Sequence, residues 1–177
     1  MSDGKKNYNF WPFKIIIITL CLSFIFGILA EAITSRSSLV ACLIIILVFI
    51  FIGIIFDIIA VAVTSCDEES FTALSSKKVS GAKISLKLIK NAGKVNSICA
   101  DVIGDIAGVL SGAAGAEISI RLFSSLPDIQ IIIFTTLITS VIAALTVGGK
   151  AFGKKYALNN SNKIIERLGK LFKGFEK

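Results

Sequence analysis

The chain has 177 residues and a formal net charge of +7, with 54% hydrophobic residues against 18% charged. Soluble domains carry about a quarter charged residues, and long uncharged apolar runs mark membrane spans, so the composition argues against a soluble enzyme. With no histidine in the chain, Ser-His-Asp and Cys-His catalysis and the common zinc arrangements are excluded.

Four runs are long enough to cross a bilayer, which takes about 20 mostly apolar residues. The first, Ile15 to Ile33, follows the lysine-bearing segment 1–14 and ends near Glu31. Ala30-Glu31-Ala32 has the small-x-small form of a signal cleavage site, but the run exceeds the ~7–15 residues of a signal core and reads as a retained span. The second, Leu39 to Val63, is the most apolar and carries one charge, Asp57. The third, Asn96 to Ile120, is rich in glycine and alanine and contains Asp101, Asp105 and Glu117; the fourth, Ile129 to Gly149, has no charge.

Lysine and arginine accumulate on the cytoplasmic side of spans. Seventeen of the nineteen lie before the first run, between the second and third, or after the fourth; Arg36 and Arg121 are the exceptions. Four crossings with both termini cytoplasmic account for that bias. The basic charge flanks spans in short clusters, so anionic lipid headgroups are the expected partner and nucleic acid is not. Cys21, Cys42, Cys66 and Cys99 are scattered without ligand spacing and read as small packing residues.

Two segments have the pattern of helices lying on the membrane. Lys83, Lys87, Lys90 and Lys94 share one helical face within a belt over residues 70–95, with Ile84, Leu88 and Ile89 turned away. In segment 150–177, Ile164, Ile165, Leu168, Leu171, Phe172 and Phe175 oppose Lys163, Arg167, Lys170 and Lys173. Plain anchoring of the cytoplasmic ends explains both as well as regulation does.

Ionisable residues inside spans are costly and are candidates for function. Asp101 and Asp105, spaced i, i+4, share a helical face near a track of Gly104, Gly108 and Gly112, with Ser111 and Gly115 close by. Small residues at that spacing let another helix approach. A carboxylate pair beside such a seam suits a hard cation, which takes several oxygen ligands, backbone carbonyls included. Ser65 and Glu68, spaced i, i+3 where the second span ends, are further oxygen ligands. Asp67 and Glu69 fit equally a helix leaving the membrane. Asp57, deeper in that span, is either part of an ion path or the partner of a lysine; Glu31 and Glu117 are entrance residues or solvated ends. An intramembrane aspartyl protease is disfavoured, because Val102-Ile103-Gly104-Asp105 lacks the first glycine of G-x-G-D.

From about residue 45 to 165 the order of features resembles the membrane domain of the cyclin M/CorB–CorC magnesium transporters. Ser65-Cys66-Asp67-Glu68 is similar to that family's S-x-S-E, Lys77 to Lys94 to its basic belt, and Asp101 and Asp105 stand where it has paired asparagines. Gly149-Lys150-Ala151-Phe152-Gly153-Lys154 is similar to its G-E-x-x-P-K, followed by Asn160. The resemblance implies a homodimer that passes Mg²⁺, exchanged for Na⁺. The implied cation site comprises Ser65, Glu68, Asp101 and Asp105, with backbone from Gly104 or Gly108. Lys150 occupies the family's carboxylate position, so either the added aspartates restore the acid or Lys150 neutralises the site. The usual nucleotide-binding CBS pair is missing from this sequence, and no nucleotide partner is expected.

The combined expectation is an all-α integral membrane protein: an additional first helix over 15–33, a three-span core over 39–149 with the 70–95 belt, and an amphipathic C-terminal segment. It is not an enzyme but a plasma-membrane Mg²⁺ transporter. The alternative is a non-transporting accessory protein of the same fold, with Lys150 in the former ion site and Asp57 and Asp67 as further modulating or ion-pair residues.

Overall fold

The structure, a computed structural model, describes residues 11–35 and 37–175; Lys5, Lys6, Arg36 and Lys177 lie outside the described residues. Helix α1 covers Trp11–Thr34, α2 Leu39–Ser65, α3 Glu68–Ser76 and α4 Ala82–Lys90. Helix α5, Ala92–Asn96, runs through a π-helical stretch, Ser97–Gly104, into α6, Asp105–Phe123; α7 covers Asp128–Phe175. No strand occurs among the described residues, and the chain is all-α.

Four helical segments are long and apolar enough to cross a membrane: Phe13–Thr34, Leu39–Ser65, Ala92–Phe123 and Asp128–Lys173. Their outward faces carry Ile17, Phe24, Leu43, Phe51, Val109, Ile132 and Leu145, all well exposed. A water-soluble fold rarely leaves so much contiguous apolar surface open, whereas lipid tails cover it at no cost. These features point to a multi-pass membrane protein.

Helix α2 is the central element, packing against α6, α7 and the π-helical stretch. Cys42, Ile46 and Ile50 of α2 form one cluster with Ala114, Ile118 and Ile142. Ala62 and Val63 form another with Phe71, Ile89, Ala157 and Ile165 at the basic end. Helix α1 stands outside this core and touches α6 and the π stretch through Ala30, Val102, Ile106 and Leu110.

Arg121 binds α1 to the core. Its guanidinium donates to the Thr34 carbonyl at 2.8 Å and to the Ser35 carbonyl, and lies 3.8 Å from Glu117. It thus satisfies carbonyls that a helix C-terminus leaves without partners. Between α6 and α7, Phe123 stacks on Phe134 at 4.4 Å across the short turn before Pro127.

The helix that carries the fourth apolar run does not stop at Gly149: α7 continues through Lys150 and bends at Asn160, where φ is −129° and ψ 19°. The described segment 150–175 therefore continues the helix of the fourth run up to the kink at Asn160 and resumes as helix beyond it. Its apolar stripe also meets protein first, since Ile165 is fully buried and Ile164 and Leu168 pack on the α3–α5 helices. Leu171 and Phe172 remain exposed.

The crossing of α4 and α7 is unusually close. Gly81, in left-handed backbone at φ +82°, has so little room that a Cβ would lie 2.6 Å from the Gly169 carbonyl carbon. Ser85, fully buried beside it, donates to the Ile165 carbonyl at 2.9 Å.

Candidate cation site

The π-helical stretch changes the geometry of the third span. Hydrogen bonds there run i→i+5, so the i, i+4 rule for Asp101 does not hold strictly. Both Asp101 and Asp105 are nevertheless exposed, while Val102, Gly104 and Ile106 between and after them are buried. The two carboxylates therefore stand on the open side of the span, the side that also presents Val109 and Ala113.

Asp105 has a partner from α7. Lys150 Nζ lies 3.3 Å from Asp105 Oδ1, with the lysine side chain 18% exposed and the aspartate 70%. The ammonium enters beside a close approach of α2 and the third span. Gly53 and Gly104 face each other there: a Cβ on Gly53 would lie 3.4 Å from the Gly104 carbonyl oxygen, and one on Gly104 would lie 3.5 Å from Lys150 Nζ. Glycine at both positions leaves the gap into which the lysine reaches.

A second ion pair lies further along α7. Lys154 Nζ is 3.7 Å from Asp57 Oδ2, with Lys154 53% exposed and Asp57 only 6%. That oxygen is buried and accepts no hydrogen bond from the described residues. Of the two roles open to Asp57 in the sequence, the structure gives it the lysine partner. Gly149 and Gly153 permit the approach, packing their backbone against Ile54 and Ile58 of α2.

The position of the Asp105–Lys150 pair follows from helix rise. Asp105 is sixteen residues from Arg121 along α6, about 24 Å at 1.5 Å per residue. Thr135 hydrogen-bonds Ser119 at 3.1 Å near the Arg121 end, and Lys150 lies fifteen residues, about 22 Å, further along α7. Both distances place the Asp105–Lys150 pair well away from the Arg121 end of the bundle, toward its basic end.

The other expected ligands do not join them. Ser65 and Glu68 are exposed; the Ser65 carbonyl accepts from Ser161 at 3.4 Å, and Glu68 opens α3 beside Glu69. Asp67 caps α3: its carboxylate accepts from the Glu69 N–H at 3.1 Å and from the Ser70 hydroxyl. Those two bonds hold its carboxyl below the usual range. Asn162 Oδ1 accepts from the Asp67 N–H at 3.1 Å and ties this corner to the bend in α7. Among the described residues no three Cys, Asp or Glu side chains converge as a metal cage, so Glu68, Asp101 and Asp105 form no common site within one chain.

The glycine track separates as well. Gly104 meets α2, Gly115 packs against Ile142 of α7, Gly108 only just reaches Thr146, and Gly112 has open space beside it. Sequence reasoning missed the Gly53–Gly104 approach and the Gly149-x-x-x-Gly153 seam. The latter has the small-xxx-small spacing that could have revealed it.

No protein-family model, no characterised protein and no solved structure matches this chain.

Proposed function

We propose that the protein passes a divalent cation, Mg²⁺, through a site at the basic end of its helical bundle. The observation that carries this reading is the Lys150 ammonium beside Asp105 in the Gly53–Gly104 gap. The Lys150 ammonium, 3.3 Å from the Asp105 carboxylate and close to Gly104, is itself a tethered cation at that carboxylate. Mg²⁺ enters by displacing that ammonium from Asp105, and Asp101 supplies the second charge. Because the lysine and the metal compete for one carboxylate, the site returns to its closed state when the ion leaves. An opposing Na⁺ gradient supplies the driving force.

Two carboxylates on the open side of a span are unfavourable against lipid, which supports a homodimer that faces them toward a second copy. The seventeen basic residues that lie before the first run, between the second and third, or after the fourth support a plasma-membrane protein with both termini cytoplasmic. Thermal unfolding of the purified protein with increasing Mg²⁺ tests the binding step. Wild type is stabilised by the ion, Lys150→Gln is stabilised at lower Mg²⁺, and Asp105→Asn is not stabilised. Equal responses in all three chains would remove Lys150 and Asp105 from any cation site.

A second reading draws on the same pair. If Lys150 closes the site permanently, the protein is a non-transporting accessory component of the membrane, and the largely buried Lys150 side chain on Asp105 favours it. It predicts no Mg²⁺ response in wild type.

A further inference from the structure

At the basic end, remote from the Asp105–Lys150 pair, the turn from α3 into α4 and the end of α7 enclose a depression of about 450 Å³. Lys78, Lys83, Lys87 and Lys173 all line it, together with Ser75 and the backbone of Gly81. These lysines come from three places in the chain: the turn, the first two turns of α4, and the end of α7. None pairs with a carboxylate among the described residues, whereas Lys150, Lys154 and Lys170 each do.

The turn holds this arrangement by unusual backbone. Lys78 has φ +54°, a left-handed conformation that few non-glycine residues adopt, and Gly81 has φ +82°. Lys173 Nζ donates to the Ser80 hydroxyl at 3.3 Å, so the end of α7 is drawn to the same turn. The close Gly81–Gly169 crossing fixes α7 beneath it. A volume of this size falls in the range of small-ligand sites. Four exposed ammonium groups lining one depression repel one another weakly through water, and a phosphate anion between them relieves that repulsion.

We propose that this depression is a binding site for a polyphosphorylated or phosphodiester anion, held by Lys78, Lys83, Lys87 and Lys173. The shared chemistry is phosphate oxygen on lysine ammonium, and its source is either a lipid headgroup or a soluble phosphoanion. Because three chain segments contribute, occupancy clamps α7 onto α4 and couples the end of α7 to the belt. The inference stands independently of whether the Asp105 site carries Mg²⁺.

The test uses the full-length protein in phosphatidylcholine nanodiscs. Pyrophosphate binding is followed by calorimetry, and retention of phosphatidylglycerol by native mass spectrometry in mixed nanodiscs. The variant K83Q/K87Q removes two exposed lysines of the site, and K90Q/K155Q removes the same charge elsewhere. Loss of two phosphate-contacting lysines should weaken binding about tenfold or more. Pyrophosphate binding lost only in K83Q/K87Q identifies a soluble phosphoanion site, and phosphatidylglycerol retention lost only in that variant identifies a headgroup site. Equal weakening in both variants, or no binding of either probe, would overturn the proposal. Unchanged hydrogen exchange across α4 in K83Q/K87Q confirms that the fold has survived.

Discussion

Replacing Gly169 by alanine should loosen the end of α7, against the trend for that substitution in a helix. In an open helix the change gains about 0.5–1 kcal/mol, because glycine loses more backbone freedom on folding. Here the new Cβ would overlap Ser85 Oγ and lie 2.6 Å from the Gly81 carbonyl oxygen. The carbonyl belongs to a turn fixed in left-handed backbone, so α7 must move away. Overpacking of this kind costs about 1–3 kcal/mol. The displacement also breaks the buried bond from Ser85 to the Ile165 carbonyl and leaves a hydroxyl unsatisfied, a further 1–3 kcal/mol or so. With both costs near the middle of their ranges and the helix gain subtracted, the net local destabilisation is about 2–4 kcal/mol. Amide hydrogen exchange over residues 161–173 in detergent or nanodiscs reads it directly. That energy corresponds to exchange faster by roughly thirtyfold to nearly a thousandfold, while amides around Ile46 and Ile118 stay unchanged. Exchange slowed or unaltered in Gly169→Ala would refute the close crossing.

Further consequences concern the ion pairs and the caps. Lys154→Met leaves the buried Asp57 carboxylate without a partner and should cost about 3 kcal/mol in denaturant unfolding, whereas Asp57→Asn, which leaves a half-solvated lysine, should cost clearly less. Equal losses would contradict the asymmetric burial of that pair. Arg121→Ala removes charged donors from the Thr34 and Ser35 carbonyls and should lower stability by about 1.5–3 kcal/mol, with Arg121→Lys recovering only part because ammonium lacks the guanidinium fork. A mutant with wild-type thermal unfolding would discount the cap. Asp67 has a folded-state pKa below its unfolded value, so its contribution to α3 is complete above the ordinary value of 3.8. That contribution is lost as pH falls through the lowered folded value. Helix α3 should therefore begin to fray only in that acid range, followed by exchange of its first-turn amides, and Asp67→Ala should abolish this pH dependence.

Much of the architecture was legible in the sequence because a bilayer imposes simple demands. Helix α2 begins at Leu39 as its apolar run does, and Ser38 caps it by accepting from the Ala41 N–H at 3.4 Å. The lysine face of α4 was plain for Lys83, Lys87 and Lys90, which are exposed while Ser85 and Ile89 are buried. Lys94 does not extend it, because the helix breaks at Asn91 and Lys94 belongs to α5. The bend in α7 was missed because neither proline nor glycine marks it. Its signal is Asn159-Asn160-Ser161-Asn162, a run of weak helix formers whose side chains bond other backbone groups. Asn160 bonds the Tyr156 carbonyl and Asn162 receives the Asp67 N–H.

The candidate site was legible only in part. Spacing singled out Asp101 and Asp105; the family resemblance drew in Lys150, which lies 3.3 Å from Asp105. It also grouped Ser65 and Glu68 with them, which the corner at Asp67 and Asn162 does not support. Contacts such as Gly53 with Gly104 depend on residues fifty positions apart. Periodicity within one helix carries no information about which glycine on another helix will face it.

The most direct test of the cation-displacement account is Mg²⁺ entry into liposomes containing the purified protein. A trapped indicator reads entry with and without an opposing Na⁺ gradient, beside protein-free vesicles and Asp105→Asn. The account predicts entry that needs Asp105, quickens with the Na⁺ gradient and changes its Mg²⁺ dependence in Lys150→Gln. Entry at the protein-free rate from a folded wild-type protein would contradict it and leave Lys150 as the permanent occupant of the site.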